Sequence, residues 1–491
     1  MTPRVLAHAA AASMRRAWRL PLAIAVSGVL LAACAPLPRA APDNAQVQLP
    51  AQWSVLAARA ADAQAGAPIA ADWWTQLGDT QLDDLVVQAL ANNTDVLTAL
   101  ARVREAQASL AVTDAARGPS VNAALGAQVG RSLGPFGPSQ TRSLQPGLQA
   151  SWELDLWGRL SQQSQAAAAR VQASAADRAA VQLSVAATTV QAYVGLRALQ
   201  EQLAISQATV RSREQALQLA RDQVRVGYIS LLQQTQAQAE YDNVQQQVQQ
   251  LQWQIDKQLA ALNLLLGQAG GHENLATPPA HRLQDMPLPA VPAGLPSQLL
   301  ERRPDIARAG YLLAASDHAL AAQRAAFLPQ VNLSASAGSL VINALHYNPL
   351  TVWSLGGSLL APLFNSGRLE AQVDVATAQR DQAAYAYRGA VLNAFADVEN
   401  ALTGTARLAA QTVHATQRRD VLQQSLGFAK DRYEAGYASY LEELDAQRNL
   451  YAAQLEVVRL HQAELDNRVA LYKALGGGWQ VSAAAGQVGM H

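Results

Sequence analysis

The chain repeats itself at a nearly constant spacing. Arg159 in LDLWGRL has a counterpart in Arg368 of FNSGRLE, and 368 − 159 = 209. Gly227 of RVGYIS and Gly436 of EAGYAS keep the same 209, as do Gly267 of LLLG and Gly476 of KALG. Upstream, NNTDVLTALARVREAQASL from Asn92 lines up with RRPDIARAGYLLAASDHAL from Arg302 at a spacing of 210, which Pro119 and Pro329 also keep. A unit this long is no solenoid repeat of about 20–50 residues. It is a half-protein present twice. The two halves are expected to pack around a pseudo-symmetric axis.

Each half carries the same succession of periods. Residues 79–116 read as helix, with Leu82, Leu85, Val86, Ala89 and Leu90 on one stripe. After Gly118-Pro119 the period becomes two: Val121, Ala123, Leu125, Ala127 and Val129 alternate with Asn122, Ala124, Gly126, Gln128 and Gly130. A Gly/Pro-rich stretch from Leu133 to Arg142 reads as a loop. A second alternating run follows, with Leu148, Ala150, Trp152, Leu154 and Leu156 on one face. Strands are expected at about 120–131 and 144–157. Their repeats are expected at about 330–339 and 351–362, with Asn348-Pro349 in the loop between.

From Arg159 to about Val226 there is no proline and only Gly195 as an internal glycine. At 1.5 Å per residue this is a helix of roughly 100 Å. Leu196, Leu203, Val210, Leu217 and Val224 recur every seven residues, as a coiled-coil seam does. Gly227-Tyr228 turns the chain into a return helix. The second half repeats this with a helix over about 368–435, the Gly436-Tyr437 turn and a second return. That return has a seam through Leu441, Leu444, Arg448, Tyr451, Leu455, Val458, Gln462, Leu465, Val469 and Tyr472. The Ala- and Gln-rich composition of these stretches favours long helices.

The N-terminus is an address. Arg15, Arg16 and Arg19 precede an apolar run from Leu20 to Ala33, too short for a comfortable span, which ends in Leu31-Ala32-Ala33-Cys34. This resembles a bacterial lipobox, with Cys34 as the diacylglycerol acceptor. Ala35, rather than Asp, after the cysteine resembles outer-membrane sorting. Translation starting at Met14 fits the same pattern as well as Met1. The expected layout is a signal peptide at 1–33, a lipidated extended arm at 34–70, a first repeat at 71–276, a Pro-rich linker at 277–296, a second repeat at 297–478 and a tail at 479–491. Cys34 is the one cysteine, so no intramolecular disulfide forms. The formal net charge of +0 gives no footprint for nucleic acid.

Strands of about ten residues with strict alternation have the length and pattern of outer-membrane β-strands. Four cannot close a barrel, and open edges are not tolerated in lipid. If they span a membrane, several chains must share one barrel, and three chains would give about 12 strands. The long helices would then form a tube below it, of a length suited to crossing the periplasm.

These features together resemble the outer-membrane efflux family of TolC and OprM, in its NodT-type lipoprotein branch. The residues that carry the resemblance are Leu31–Cys34, Trp73-Trp74, Ser151–Arg159, Glu301–Ile306, Phe327–Gln330 and the two Gly-Tyr turns. The resemblance implies a mainly α chain with a membrane β-barrel: a homotrimer whose 12-stranded barrel continues as a long periplasmic α-helical barrel. It implies outer-membrane lipid around the barrel, a periplasmic adaptor (a membrane fusion protein) and an inner-membrane RND-type pump. The duct would passively carry drugs or other small toxic compounds outward. By motif match, Leu441, Asp445 and Arg448 fall on gate positions, with Glu442 on a further acidic position. Gly227, Tyr228, Gly436 and Tyr437 fall on adaptor-docking tips. Leu441, Asp445 and Arg448 stand at i, i+4 and i+7, on one helical face, where threefold symmetry would make rings of them. Apposed Asp445 carboxylates repel unless paired with Arg448 or cations. The competing reading is a solvated helix face with an ion pair worth under about 1 kcal/mol. Arg448 on a seam between Leu444 and Tyr451 favours the gate. Trp152, Trp157 and Trp353 lie near strand ends, as an aromatic belt would or as plain strand packing.

No enzyme is expected. The histidines show no metal spacing, and there is no P-loop, dinucleotide fingerprint or GxSxG elbow. No cofactor is called for. Two other readings share many of these features: an exit duct for type I protein secretion, and a non-transporting trimeric surface stalk.

Overall fold

The computed structural model describes residues 69–134, 137–270 and 299–479, with short pieces at 42–47, 50, 53–54, 275 and 282–288. The signal segment, Cys34, most of the linker and the tail beyond Trp479 lie outside the described residues.

The duplication is preserved to the residue in the three longer helices of each half. The first half runs α1 (Thr80–Asn92), α2 (Thr94–Ala115), β1 (Ser120–Gly134), β2 (Gly137–Leu154), α3 (Arg159–Arg225) and α4 (Leu231–Leu265). After a single helical turn at Leu299–Arg302, the second runs α5 (Pro304–Ala325), β3 (Gln330–Ile342), β4 (Leu350–Leu360), α6 (Arg368–Glu434) and α7 (Tyr440–Ala474). α3 and α6 have 67 residues each, α4 and α7 have 35 each, and α2 and α5 have 22 each. The expected helix over 79–116 is two helices. Asn93 takes an extended conformation and its Oδ1 accepts from Asp95 N at 2.9 Å, ending one helix and capping the next.

The strands form one antiparallel sheet in the order β1-β2-β3-β4. They are longer than expected on the outer side, because the stretch from Leu133 to Arg142 is not a loop. Gly134 pairs Gly137 and Val129 pairs Arg142, so the ladder runs through most of this stretch. At the other end β2 stops at Leu154 and β4 at Leu360, short of 157 and 362. The register puts Val121, Leu125, Val129, Leu144, Leu148, Trp152, Leu333, Leu355 and Leu359 on one face, all of them exposed in the single chain. The other face carries Asn122, Gln149, Ser336 and Ser354, with a 2.8 Å bond between the last two hydroxyls. Trp152 and Trp157 donate their indole N–H groups to the Arg117 and Pro329 carbonyls at 2.8 and 2.7 Å, pinning the helical end of the sheet. Trp353 is 76 % exposed in mid-sheet, level with Ala337 and Leu148, so the three do not form one belt.

The conserved period of the two halves shows again where sheet meets helix. Asp155 accepts from Leu160 N and Ser161 N at 2.9 and 2.7 Å and so caps α3. Burial alone would raise its carboxyl, but those two backbone N–H groups hold it below the usual range. Glu153 takes a bidentate pair from Arg159 at 2.7 Å. The SWELDLWGR run is therefore a strand-to-helix corner, and in the second half Asn365 accepts from Leu369 N in its place.

The main core lies midway along the long helices. Trp73, 1 % exposed, stacks on Tyr472 at 4.9 Å and meets Trp74 edge-on at 5.8 Å. Leu82, Val86, Val190, Tyr193, Leu196, Leu262, Leu465 and Val469 complete it, so both halves contribute. Of the expected seams, Leu196, Leu217, Leu444, Leu455, Val458, Leu465, Val469 and Tyr472 are buried, whereas Leu441 and Arg448 are exposed. Arg303 explains the ERRPDI run. Its guanidinium reaches Asp305 at 2.7 Å, Asp397 at 3.1 Å and the Ala474 carbonyl at 3.1 Å, tying α5, α6 and α7 together, while Pro304 starts α5. The described pieces of the segment expected as an arm touch α6: Arg388 donates to the Asn44 carbonyl, Tyr385 donates to Asn44 Oδ1 at 2.9 Å, and Trp53 packs on Phe395 at 5.7 Å.

Two consequences are measurable. Gly436 and Gly476 both have positive φ, 78° and 92°. A Cβ at Gly436 meets open space, whereas one at Gly476 collides with the Arg302 carbonyl. Gly436→Ala is expected to cost about 1 kcal/mol, and Gly476→Ala distinctly more, seen as a larger drop in thermal midpoint by circular dichroism. Asp466 on α7 is half-buried, with Oδ1 unpartnered, and desolvation pushes its carboxyl up to about 6. A raised folded-state value means that the folded chain holds the proton more tightly, so stability falls as pH rises from about 4 to about 6. Asp466→Asn should therefore stabilise by about 1 kcal/mol at pH 7.5, and by nothing at pH 4, in paired melts.

Candidate functional site

The end of the helices distal to the sheet is built from two nearly identical turns. Gly227 N donates to Val224 O at 3.0 Å and Tyr228 N to Gln223 O at 2.8 Å. Gly436 N donates to Tyr433 O at 3.0 Å and Tyr437 N to Arg432 O at 2.8 Å. This pattern needs a left-handed residue, which glycine supplies at φ 75° and 78°. Tyr228 and Tyr437 project outward, 79 % and 81 % exposed. The four expected tip residues are thus together at one end of the molecule.

Beyond the turns the halves diverge. On α4, Gln233 Oε1 accepts from Ser230 N at 3.2 Å and closes a capping box. The equivalent Glu442 instead pairs with Arg432 at 3.5 Å. Leu441, Asp445 and Arg448 lie on the exposed face of α7, opposite buried Tyr440 and Leu444. The expectation that Arg448 serves Asp445 needs correction within one chain. Arg448 pairs with Glu240 of α4, which is 9 % exposed, and Asp445 accepts from Asn449 Nδ2 at 3.1 Å. Glu240 wins because a buried carboxylate has no water to pair with, whereas Asp445 is solvated.

The comparisons with known proteins follow this geometry. A family described as Outer membrane efflux protein matches residues 85–268 and again 295–477, one match per half. The chain belongs to this family. It is 36 % identical over 461 residues to the pyoverdine export outer membrane protein OpmQ of Pseudomonas aeruginosa, covering 92 % of this chain and 95 % of that one. It is 33 % identical to the cation efflux system protein CusC of Escherichia coli, covering 84 % and 89 %. Its fold matches the outer-membrane channel OprN with a TM-score of 0.82 at 28 % identity, covering 91 % of this chain and all of that one. As an outer membrane efflux protein, the chain is the outer-membrane component of an efflux system, working with an adaptor and an inner-membrane pump.

Several residues of this efflux protein's tip escape a reading by motif. Arg213 on α3 is 3 % exposed and donates to Gln447 Oε1, whose Nε2 donates to Glu443 Oε1 at 2.8 Å. Burial pulls the Arg213 guanidinium down and Glu240 opposes it; burial likewise pushes the Glu443 carboxyl up despite Lys430 nearby. Ser206 and Tyr451 share a 2.8 Å bond one helical stretch above. Glu240 and Arg213 come from the first half, whereas Arg448, Gln447 and Glu443 come from the second. The polar cluster therefore stitches the two helical pairs together. One signal was available: Leu199, Ser206, Arg213 and Ala220 recur every seven residues, so Arg213 is a charge on a seam-spaced position of small or apolar residues. Glu240 had no such signal, since it meets Arg448 only because α4 and α7 both pack against α3.

Proposed function

We propose that three copies of this chain form one duct, with a shared 12-stranded barrel in the outer membrane and a helical tube below it. The carrying observation is the sheet. It has one exposed face that is apolar up to its outer end, one polar face, and two edge strands, β1 and β4, whose outer edges have no strand partner among the described residues. Unpaired edges in lipid cost several kcal/mol per group, and closure by further copies removes them. Cys34 would carry the lipid anchor. Conduction is passive, with no catalysis by the chain, and the pump selects small toxic compounds as cargo. The names of the relatives, export of pyoverdine and efflux of cations, support small-molecule efflux over protein secretion.

The periplasmic tip is the gate in this reading. Leu441, Asp445 and Arg448, exposed in one chain, would face their copies across the axis, with Glu442 beside them. Gly227, Tyr228, Gly436 and Tyr437 would form six similar docking points for the adaptor. Cysteine pairs placed on β1 and β4, in a background where Cys34 is retained, test the assembly. A cross-linked ladder ending at trimer is the expected result; ladders ending at dimer or running on without limit would overturn it.

A further inference from the structure

The sheet carries an unusual charge pattern at its outer end. Neither Ser120–Trp152 nor Gln330–Asn365 contains an acidic residue, yet the two segments hold Arg131, Arg142 and His346. Arg131 shares the apolar face with Val129 and Leu133, and Arg142 shares it with Leu144 and Leu148. Arg131 pairs Gln140 and Arg142 pairs Val129, so the two arginines are diagonal neighbours on adjacent strands. Both are exposed. Eleven residues separate Ser120 from Arg131, about 36 Å of strand, or roughly 27 Å of height at a tilt of about 40°. That matches an apolar band of about 25 Å. The arginines thus stand where the band ends, on the side away from the helices.

A depression of about 360 Å³ lies beside them, with Ala127, Val129, Leu144 and Val341 as its apolar wall and Arg142 and Tyr347 as its polar lip. The β3–β4 loop is held over it. Asn343 Oδ1 accepts from Arg142 N at 3.1 Å, and its Nδ2 donates to Gln140 O at 2.8 Å. His346 and Tyr347 have positive φ, 52° and 62°, a conformation that bulky residues adopt only when their surroundings impose it. Apolar wall, paired guanidinium groups and a phenol at one membrane depth suit an acyl chain below a phosphorylated headgroup.

We propose that this outer lip is a binding site for a phosphorylated glycolipid of the outer leaflet, with Arg131 and Arg142 on its phosphate and the depression on its acyl chain. The proposal rests on the reading that the apolar face of the sheet meets lipid. Charge complementarity selects this occupant over zwitterionic lipid, since no carboxylate in either segment competes for the arginines.

The test is native mass spectrometry of the full-length detergent-solubilised protein with diphosphorylated lipid A, its dephosphorylated form, or phosphatidylethanolamine. Wild type should retain only the phosphorylated lipid, undisturbed by millimolar inorganic phosphate. Arg131→Gln with Arg142→Gln should lower retention by about tenfold or more, and Tyr347→Ala should lower it less. Equal retention of all three lipids, equal retention by the double variant, or displacement by inorganic phosphate would overturn the site. Planar-bilayer insertion of the same samples separates the two ideas. Wild-type protein that inserts without lipid selectivity refutes only the lipid site, whereas wild-type protein that does not insert refutes the membrane reading beneath it.

Discussion

Replacing Arg448 by alanine is expected to raise the resting conductance of the reconstituted protein, and replacing Asp445 as well is expected to raise it further. Arg448 is half-exposed, but its partner Glu240 is buried, so losing the guanidinium leaves a desolvated carboxylate unpaired. Discounted for solvent on the arginine side, the loss is about 1–2 kcal/mol per chain. In the proposed trimer, with three chains acting together, that would shift the closed–open ratio by roughly a hundredfold or more. Single-channel recording in planar bilayers reads this directly. Glu240→Gln should reproduce much of the Arg448→Ala effect, although Glu240 lies on the other half of the repeat. If the conductance of Asp445→Ala/Arg448→Ala equals that of wild type, the tip is not held closed by these groups. If Glu240→Gln has no effect while Arg448→Ala opens the channel, Arg448 acts across the axis rather than through α4.

The second large effect is on stability. Trp73→Ala removes a side chain that is 1 % exposed and stacked on Tyr472. The lost burial, the cavity and the ring contact together cost about 4 kcal/mol. Because Trp73 precedes α1 and Tyr472 lies in the last turn of α7, the damage should detach the start of the first half from the end of the second. A fall in the thermal midpoint with the sheet signal retained is expected by circular dichroism, together with faster proteolysis near Ala71–Leu77. Trp73→Phe should recover part of the loss. Trp74, 9 % exposed, should be the less sensitive of the two.

These two sites were unequally visible in the residues. Trp73-Trp74 stood out as a motif, yet its partner Tyr472 lies 399 positions away and was known only as a seam residue (472 − 73 = 399). Asp445 and Arg448 were found by motif match, and their common face followed from helical geometry. Their pairing did not follow. Arg448 was one of the partners expected to relieve apposed Asp445 carboxylates, and the packing of α4 and α7 against α3 gave it to Glu240 within the chain instead. Arg213 was visible in principle, as a charge on a seven-residue seam beside Ser206. The Leu133–Arg142 stretch was misread because glycine and proline usually mark loops. There the ladder takes in Leu133, Gly134 and Gly137–Arg142.

What the sequence determined by itself is whatever depends on local period and on repetition: two equivalent halves, a very long helix and a return helix in each, glycine turns, and strands with one apolar face. Those properties follow from backbone geometry and side-chain alternation over neighbouring residues, so a linear reading captures them. Tertiary structure alone decided which charges meet. The 209-residue repeat sets Glu240 opposite Asn449 and Arg213 opposite Leu422, so neither charge has a counterpart in the other half. Their roles arise only where the first half's helices lie against the second's. A desolvated ion pair is a relation between distant segments, and burial, not spacing, settles its partners.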